Sequence, residues 1–130
     1  QLNMDNRMST IKANDIQNTS GGIPTVKGQR LICTAWVRLN GTGTIAISDS
    51  ENVSSITDLS TGYYRATFVT TMATTNYCAT VTTNNTMARE ITSASTADHI
   101  AVQAVYPTGL ANQKAALDVS SLCVHIFGGQ

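Results

Sequence analysis

Charge is scarce in this sequence. Asp, Glu, Lys and Arg together make up 12% of the 130 residues, about half the share of an ordinary globular chain. Eight basic and eight acidic residues cancel and form no basic cluster, so the long-range attraction that nucleic acid or an anionic membrane normally needs is missing. No apolar stretch approaches the roughly 20 residues that cross a bilayer, and no basic region followed by an apolar run opens the chain. It is expected to be soluble and unprocessed, with no nucleic-acid partner and no membrane insertion. Aromatics are also few, at 5%.

Cys33, Cys78 and Cys123 are too far apart for a metal knuckle or a CxxC redox pair, and an odd number cannot all pair within one chain. Buried free thiols are the expectation. What replaces charge is hydroxyl and amide: Thr, Ser and Asn fill about a third of the chain, and β-branched Thr suits a half-exposed pleated surface. The length fits one domain with a modest core.

Residues 1–20 differ from the rest. Met4, Met8 and Ile11 fall on one helical stripe, but Asp15 stands where the next apolar seam residue belongs, so the segment is a short helix, a stalk end or an extended arm. Gly21-Gly22 and Pro24 then break the chain. This divides it into a stalk or arm with its hinge over residues 1–24 and a head over residues 25–130.

In the head, short alternating runs are separated by turn residues, the pattern of a sandwich or barrel. Strands are expected over Leu31–Leu39, ending at the hairpin dipeptide Asn40-Gly41, and over Thr44–Ser48, Val53–Thr57, Tyr63–Thr70, Tyr77–Thr83, His99–Tyr106 and Val119–Phe127. The inward-facing sets are Tyr64, Ala66 and Phe68, then Ile100, Val102 and Ala104, then Leu122, Val124 and Ile126. Asn84–Asp98 has no clear period, and Pro107–Lys114 reads as a loop. The fold class is therefore all-β, a β-sandwich of about seven antiparallel strands behind a short helical or extended N-terminal segment.

The run from Ala35 through Trp36, Asn40-Gly41-Thr42-Gly43 and Asn52-Val53-Ser54-Ser55-Ile56-Thr57-Asp58 resembles a module of phage and prophage tail-fibre proteins. Gly62-Tyr63-Tyr64, Phe68-Val69-Thr70-Thr71-Met72 and Asn76-Tyr77 follow in the module's order, so the resemblance covers about residues 15–80. Glu51 stands where the module usually has an aromatic, and Leu59-Ser60 replaces Asn-Gly. The resemblance implies a virion component of a phage tail, assembled in the host cytoplasm. It also implies a homotrimer in contact with other tail proteins, at the host-facing end of a fibre. Such a head attaches to a bacterial surface glycan or an outer-membrane receptor. The alternatives are a purely structural trimerisation or connector domain, and a capsule-polysaccharide depolymerase.

Residues able to carry chemistry are sparse. His99 beside Asp98, and His125, lie in alternating strand patterns without a third ligand at diagnostic spacing, and Ser54-Ser55 lacks a nucleophile-elbow context. Asp49, Glu51, Asp58 and Glu90 include no recognisable acid pair, and 130 residues without a repeat cannot build the long β-helical body of an enzymatic tailspike. The chain is thus expected not to be an enzyme, and to need no cofactor and no metal. Trp36, mid-strand, is expected in the core or at a subunit interface. Tyr63, Arg65 and Tyr106 are the candidates for an exposed polar-aromatic surface, and Asn84, Asn85 and Arg89 for a donor-rich loop that hydrogen-bonds glycan hydroxyls.

Overall fold

The computed structural model of the chain describes residues 33–109 and 114–129. The expected arm over 1–24, the start of the head, and the first residues of the predicted opening strand lie outside the described residues. Within them are nine strands, β1 (Ala35–Asn40), β2 (Ala46–Glu51), β3 (Val53–Ser60), β4 (Tyr63–Phe68), β5 (Tyr77–Thr83), β6 (Met87–Glu90), β7 (His99–Pro107), β8 (Lys114–Ala116) and β9 (Leu122–Gly128). A single 3-10 turn, Thr92–Ala94, interrupts them. One sheet has the order β2-β1-β9-β5 and the other β3-β4-β7-β6, with β8 beside β7. Every pairing is antiparallel. The fold is the expected β-sandwich.

Alternation along the strands builds its core, because successive side chains on a strand point to opposite faces. Ala35, Val37 and Leu39 on β1 and Leu122, Val124 and Ile126 on β9 face Tyr64, Ala66 and Phe68 on β4 and Ile100, Val102 and Ala104 on β7, all in one buried cluster. Each larger aliphatic side chain there contributes roughly 1.5–3 kcal/mol on burial. The intervening residues of the same strands line the two outer faces.

Several expectations need correction. β6 arises inside the stretch without a clear period and β8 starts on the last residue of the expected Pro107–Lys114 loop, since Met87–Glu90 and Lys114–Ala116 pair with β7 despite weak strand propensity. Asn40-Gly41 does not form a two-residue hairpin turn. The β1–β2 connection runs to Ile45, and Asn40 Oδ1 accepts from the Thr42 amide at 3.0 Å and the Thr42 hydroxyl at 2.7 Å, while Gly43 takes the positive φ of 65°. Gly41 serves a different end, described below. Trp36 sits on the outer face of β1, half-buried, because its neighbours Ala35 and Val37 occupy the core. None of the three free thiols is fully buried: Cys78 is exposed, and Cys33 and Cys123 are half-buried.

The motif residues interlock the two sheets. A single residue, Asn52, separates β2 in one sheet from β3 in the other, with φ 54°, a left-handed conformation that asparagine tolerates better than most side chains. Its Oδ1 accepts from the Thr70 amide at 2.7 Å, its Nδ2 lies 3.3 Å from the Thr34 carbonyl oxygen, and its own carbonyl accepts from the Val69 amide at 3.2 Å. We expect Asn52→Ala to lose about 2 kcal/mol by urea denaturation, and Asn52→Gly, which keeps the backbone freedom but not the side-chain bonds, about half that.

At the opposite end of the sandwich, Asp118 Oδ1 accepts from the Gly62 amide at 2.6 Å and from the fully buried Tyr64 hydroxyl at 3.0 Å. This ties the β3–β4 turn to the approach to β9. Burial, and then the Asp118 carboxylate, lift the Tyr64 phenol well above the ordinary tyrosine value near 10. Burial also raises Tyr77, whose hydroxyl lies 3.1 Å from the Thr96 carbonyl oxygen and whose ring meets Phe68 edge-on. A phenol raised in the fold supports stability fully below pH about 10, and that support is lost as pH rises and the unfolded tyrosines ionise first. Unfolding midpoints should therefore fall as pH rises above about 10. Tyr64→Phe should cost about 1 kcal/mol at pH 8, and the gap should narrow over that same rise.

Candidate functional site

The outer face of the second sheet is assembled from three strands. Tyr63 on β4 is in register with Gln103 on β7, which is in register with Arg89 on β6. One step along, Arg65 lies between Thr57 of β3 and Ala101 of β7, and Ser60 flanks Tyr63. Tyr64 and Ala66 turn inward, so Tyr63, Arg65 and Thr67 must turn outward. By the same alternation β6 sends Ala88 and Glu90 inward and Arg89 outward.

Gln103 Oε1 accepts from Arg89 Nη2 at 2.9 Å, which fixes one guanidinium beside the phenol row. Arg65 is half-buried, and its Nε is enclosed with no hydrogen-bond partner among the described residues. Small, fully buried Ala101 stands next to it in the ladder. One end of the face is closed by the β6–β7 connection. There His99 is held through both ring nitrogens, at 3.1 Å from the Thr96 hydroxyl and 3.1 Å from the Ala94 carbonyl oxygen, and the Ala101 amide donates to the Ser95 hydroxyl at 3.1 Å. His99 thus fastens a loop. His125 lies on the outer face of the other sheet, opposite Trp36 and Thr80.

The six residues singled out from sequence fall in three places. Tyr63, Arg65 and Arg89 share the outer face just described. Asn84 and Asn85 lie instead in the β5–β6 turn, where the Thr83 hydroxyl bonds the Thr86 backbone, the Thr86 hydroxyl donates to the Val105 carbonyl on β7, and Asn84 Nδ2 reaches the Ser120 hydroxyl at 3.1 Å. Tyr106 stands near the C-terminal end of β7, opposite Ala115 and exposed. Gln103 was not singled out, although its place between inward Val102 and Ala104 on a strand signals an outward amide. Arg89 joins Tyr63 only through a strand pairing that no local pattern reveals.

The charges are unevenly distributed between the two outer faces. Arg65, Arg89 and Lys114 project from the second sheet, and no Asp or Glu among the described residues occupies an outward position there, since Asp58 and Glu90 pair with the inward Tyr64 and Val102. The first sheet carries both signs, with Asp49 opposite Arg38 and Glu51 opposite Trp36, and it also presents exposed Phe127. Measured against models of known protein families, against curated proteins and against solved structures, the chain matches none.

Proposed function

We propose that this chain is the attachment head of a phage tail-fibre-like protein, a virion component that binds a bacterial surface glycan as a homotrimer and performs no catalysis. The observation that carries the reading is the role of the residues behind the tail-fibre resemblance. Asn52, Gly62, Tyr64, Phe68, Met72 and Tyr77 are the pieces that lock the two sheets together. A shared motif made of such interlocks speaks for a shared scaffold, and the outward Tyr63, Arg65, Gln103 and Arg89 are then free to vary with the ligand.

A rigid face of hydroxyl, amide, phenol and guanidinium groups suits a hydroxyl-rich ligand held by directed hydrogen bonds. The first sheet's outer face suits a second copy of the chain. It mixes Asp49 and Glu51 with Arg38, and its half-exposed Trp36 and exposed Phe127 supply apolar contact. Sedimentation of the full chain should give a trimer mass, reduced to a monomer in Phe127→Ser. Binding of the purified chain to a panel of intact bacteria should be saturable and should block phage adsorption to the strain that is bound. A trimer that binds no cell would favour the connector alternative, and reducing ends released from capsule would favour the depolymerase.

A further inference from the structure

We infer that the outer face of the second sheet takes an acidic glycan, one bearing carboxylate or phosphate groups, with Arg89 at the end of the Tyr63–Gln103 row and Arg65 beside that row as the two anion contacts. This rests on the attachment reading above and names the ligand class of that same face.

Three observations lead to it. First, the chain is neutral overall, yet this face holds Arg65, Arg89 and Lys114 with no outward carboxylate among the described residues. Fixed cations of one sign on a rigid sheet create a local field for an anion, and no neighbouring acid quenches it. Second, Arg65 is tolerated at a cost. Its enclosed Nε has no acceptor among the described residues, and a buried unpaired donor is costly to keep unless the guanidinium serves another end. Third, the surroundings suit a sugar more than a nucleic acid. Thr57, Ser60 and Gln103 supply hydroxyl and amide partners and Tyr63 an aromatic ring, while three cations are few for a polyphosphate duplex.

Strand spacing and rise place the Cα atoms of Arg65 and Arg89 about 12 Å apart, two strands over and two residues along. The ligand therefore bridges two separate anionic points or lays one along the row. Gln103, already bonded to Arg89, orients that guanidinium, and its remaining amide hydrogens face the ligand's hydroxyls.

The test uses the full chain against polygalacturonate, the same polymer with its carboxyls reduced, a phosphodiester-linked polyol of the teichoic type, neutral dextran, and duplex DNA. The expected result is binding to one or both acidic polysaccharides, absent for the carboxyl-reduced polymer and weakened several-fold between 50 and 500 mM salt. The uronate and phosphate arms show which anion is read. Arg65→Met and Arg89→Gln should each lower affinity about ten-fold or more, with Arg65→Lys intermediate. Arg65→Met should leave the thermal midpoint unchanged or raised, because it removes the unpaired donor while keeping the aliphatic stem, so its lost binding cannot be ascribed to misfolding. Binding to dextran and the acidic polymers alike, insensitive to both substitutions, overturns this inference and leaves the attachment reading standing. Equal binding to DNA also overturns it. Binding to none of the polymers and to no cell of the bacterial panel overturns both.

Discussion

Gly62→Ala is expected to be the most damaging small substitution in this protein, lowering unfolding stability by about 4 kcal/mol. Gly62 occupies the β3–β4 turn with φ 65°, where β4 ends and β8 takes over alongside β7. Its carbonyl accepts from the Ala104 amide at 2.8 Å, its amide donates to Asp118, and the Leu117 amide donates to the Ala104 carbonyl at 3.2 Å. A Cβ at this position would lie 2.6 Å from the Leu117 carbonyl oxygen, 2.7 Å from that of Ala104 and 2.7 Å from the Leu117 nitrogen. All three are backbone atoms of the sheet, so no rotamer change relieves the clash. The left-handed φ adds a further penalty of 1–2 kcal/mol or so for any side chain. Chemical denaturation should place the variant's midpoint far below that of the parent chain. A shift of less than about 1 kcal/mol would mean that the β4–β8 junction is looser than described.

Gly41→Ala is expected to cost about 3 kcal/mol through a different contact. Gly41 has no positive φ and needs no special backbone freedom. Its amide donates to the Val119 carbonyl at 2.8 Å, and a Cβ there would sit 2.1 Å from the Tyr64 hydroxyl oxygen and 2.4 Å from the adjoining ring carbon. Tyr64 is fully buried and cannot swing into solvent, so the methyl group must displace the hydroxyl from Asp118 or push β1 away from β9. The two explanations separate in a double-mutant cycle. If the damage is the lost Tyr64–Asp118 bond, Gly41→Ala should cost markedly less in a Tyr64→Phe background; additive costs would point to displacement of the strand.

Most of the sandwich was legible because its strands are buried on one face only. Where a single face packs inward, period-two alternation marks it, and so the inward sets of β4, β7 and β9 were correctly assigned. The burial expected of Cys123 and the core alternative for Trp36 both run against that same alternation. Each lies between two inward residues, Leu122 and Val124 or Ala35 and Val37, and must therefore face outward. β6 was missed because Met-Ala-Arg-Glu has no β-branched residue, and β8 because Lys-Ala-Ala has little to bury. β6 exists because β7 offers a free edge, and β8 because β7 runs on past its pairing with β4, tertiary causes that local sequence does not display.

The Asn-Gly pair after β1 misled in a similar way. The glycine that favours a hairpin turn is present to make room for a tyrosine more than twenty residues later in the chain. On the candidate face, Tyr63 and Arg65 were visible as outward partners of a buried strand. Arg89 was assigned to a loop and Gln103 was overlooked, because only the β4–β7–β6 register brings them alongside. Asn84, Asn85 and Tyr106, chosen for composition, stand apart from that face.

The most direct test of the account is the binding isotherm of the full chain on a panel of intact bacteria, compared with an Arg65→Met, Arg89→Gln double variant of unchanged thermal midpoint. The account predicts saturable binding by the parent chain to at least one strain and a loss of about a hundred-fold in the double variant, two charged contacts at about ten-fold each. Equal binding by parent and double variant would contradict it.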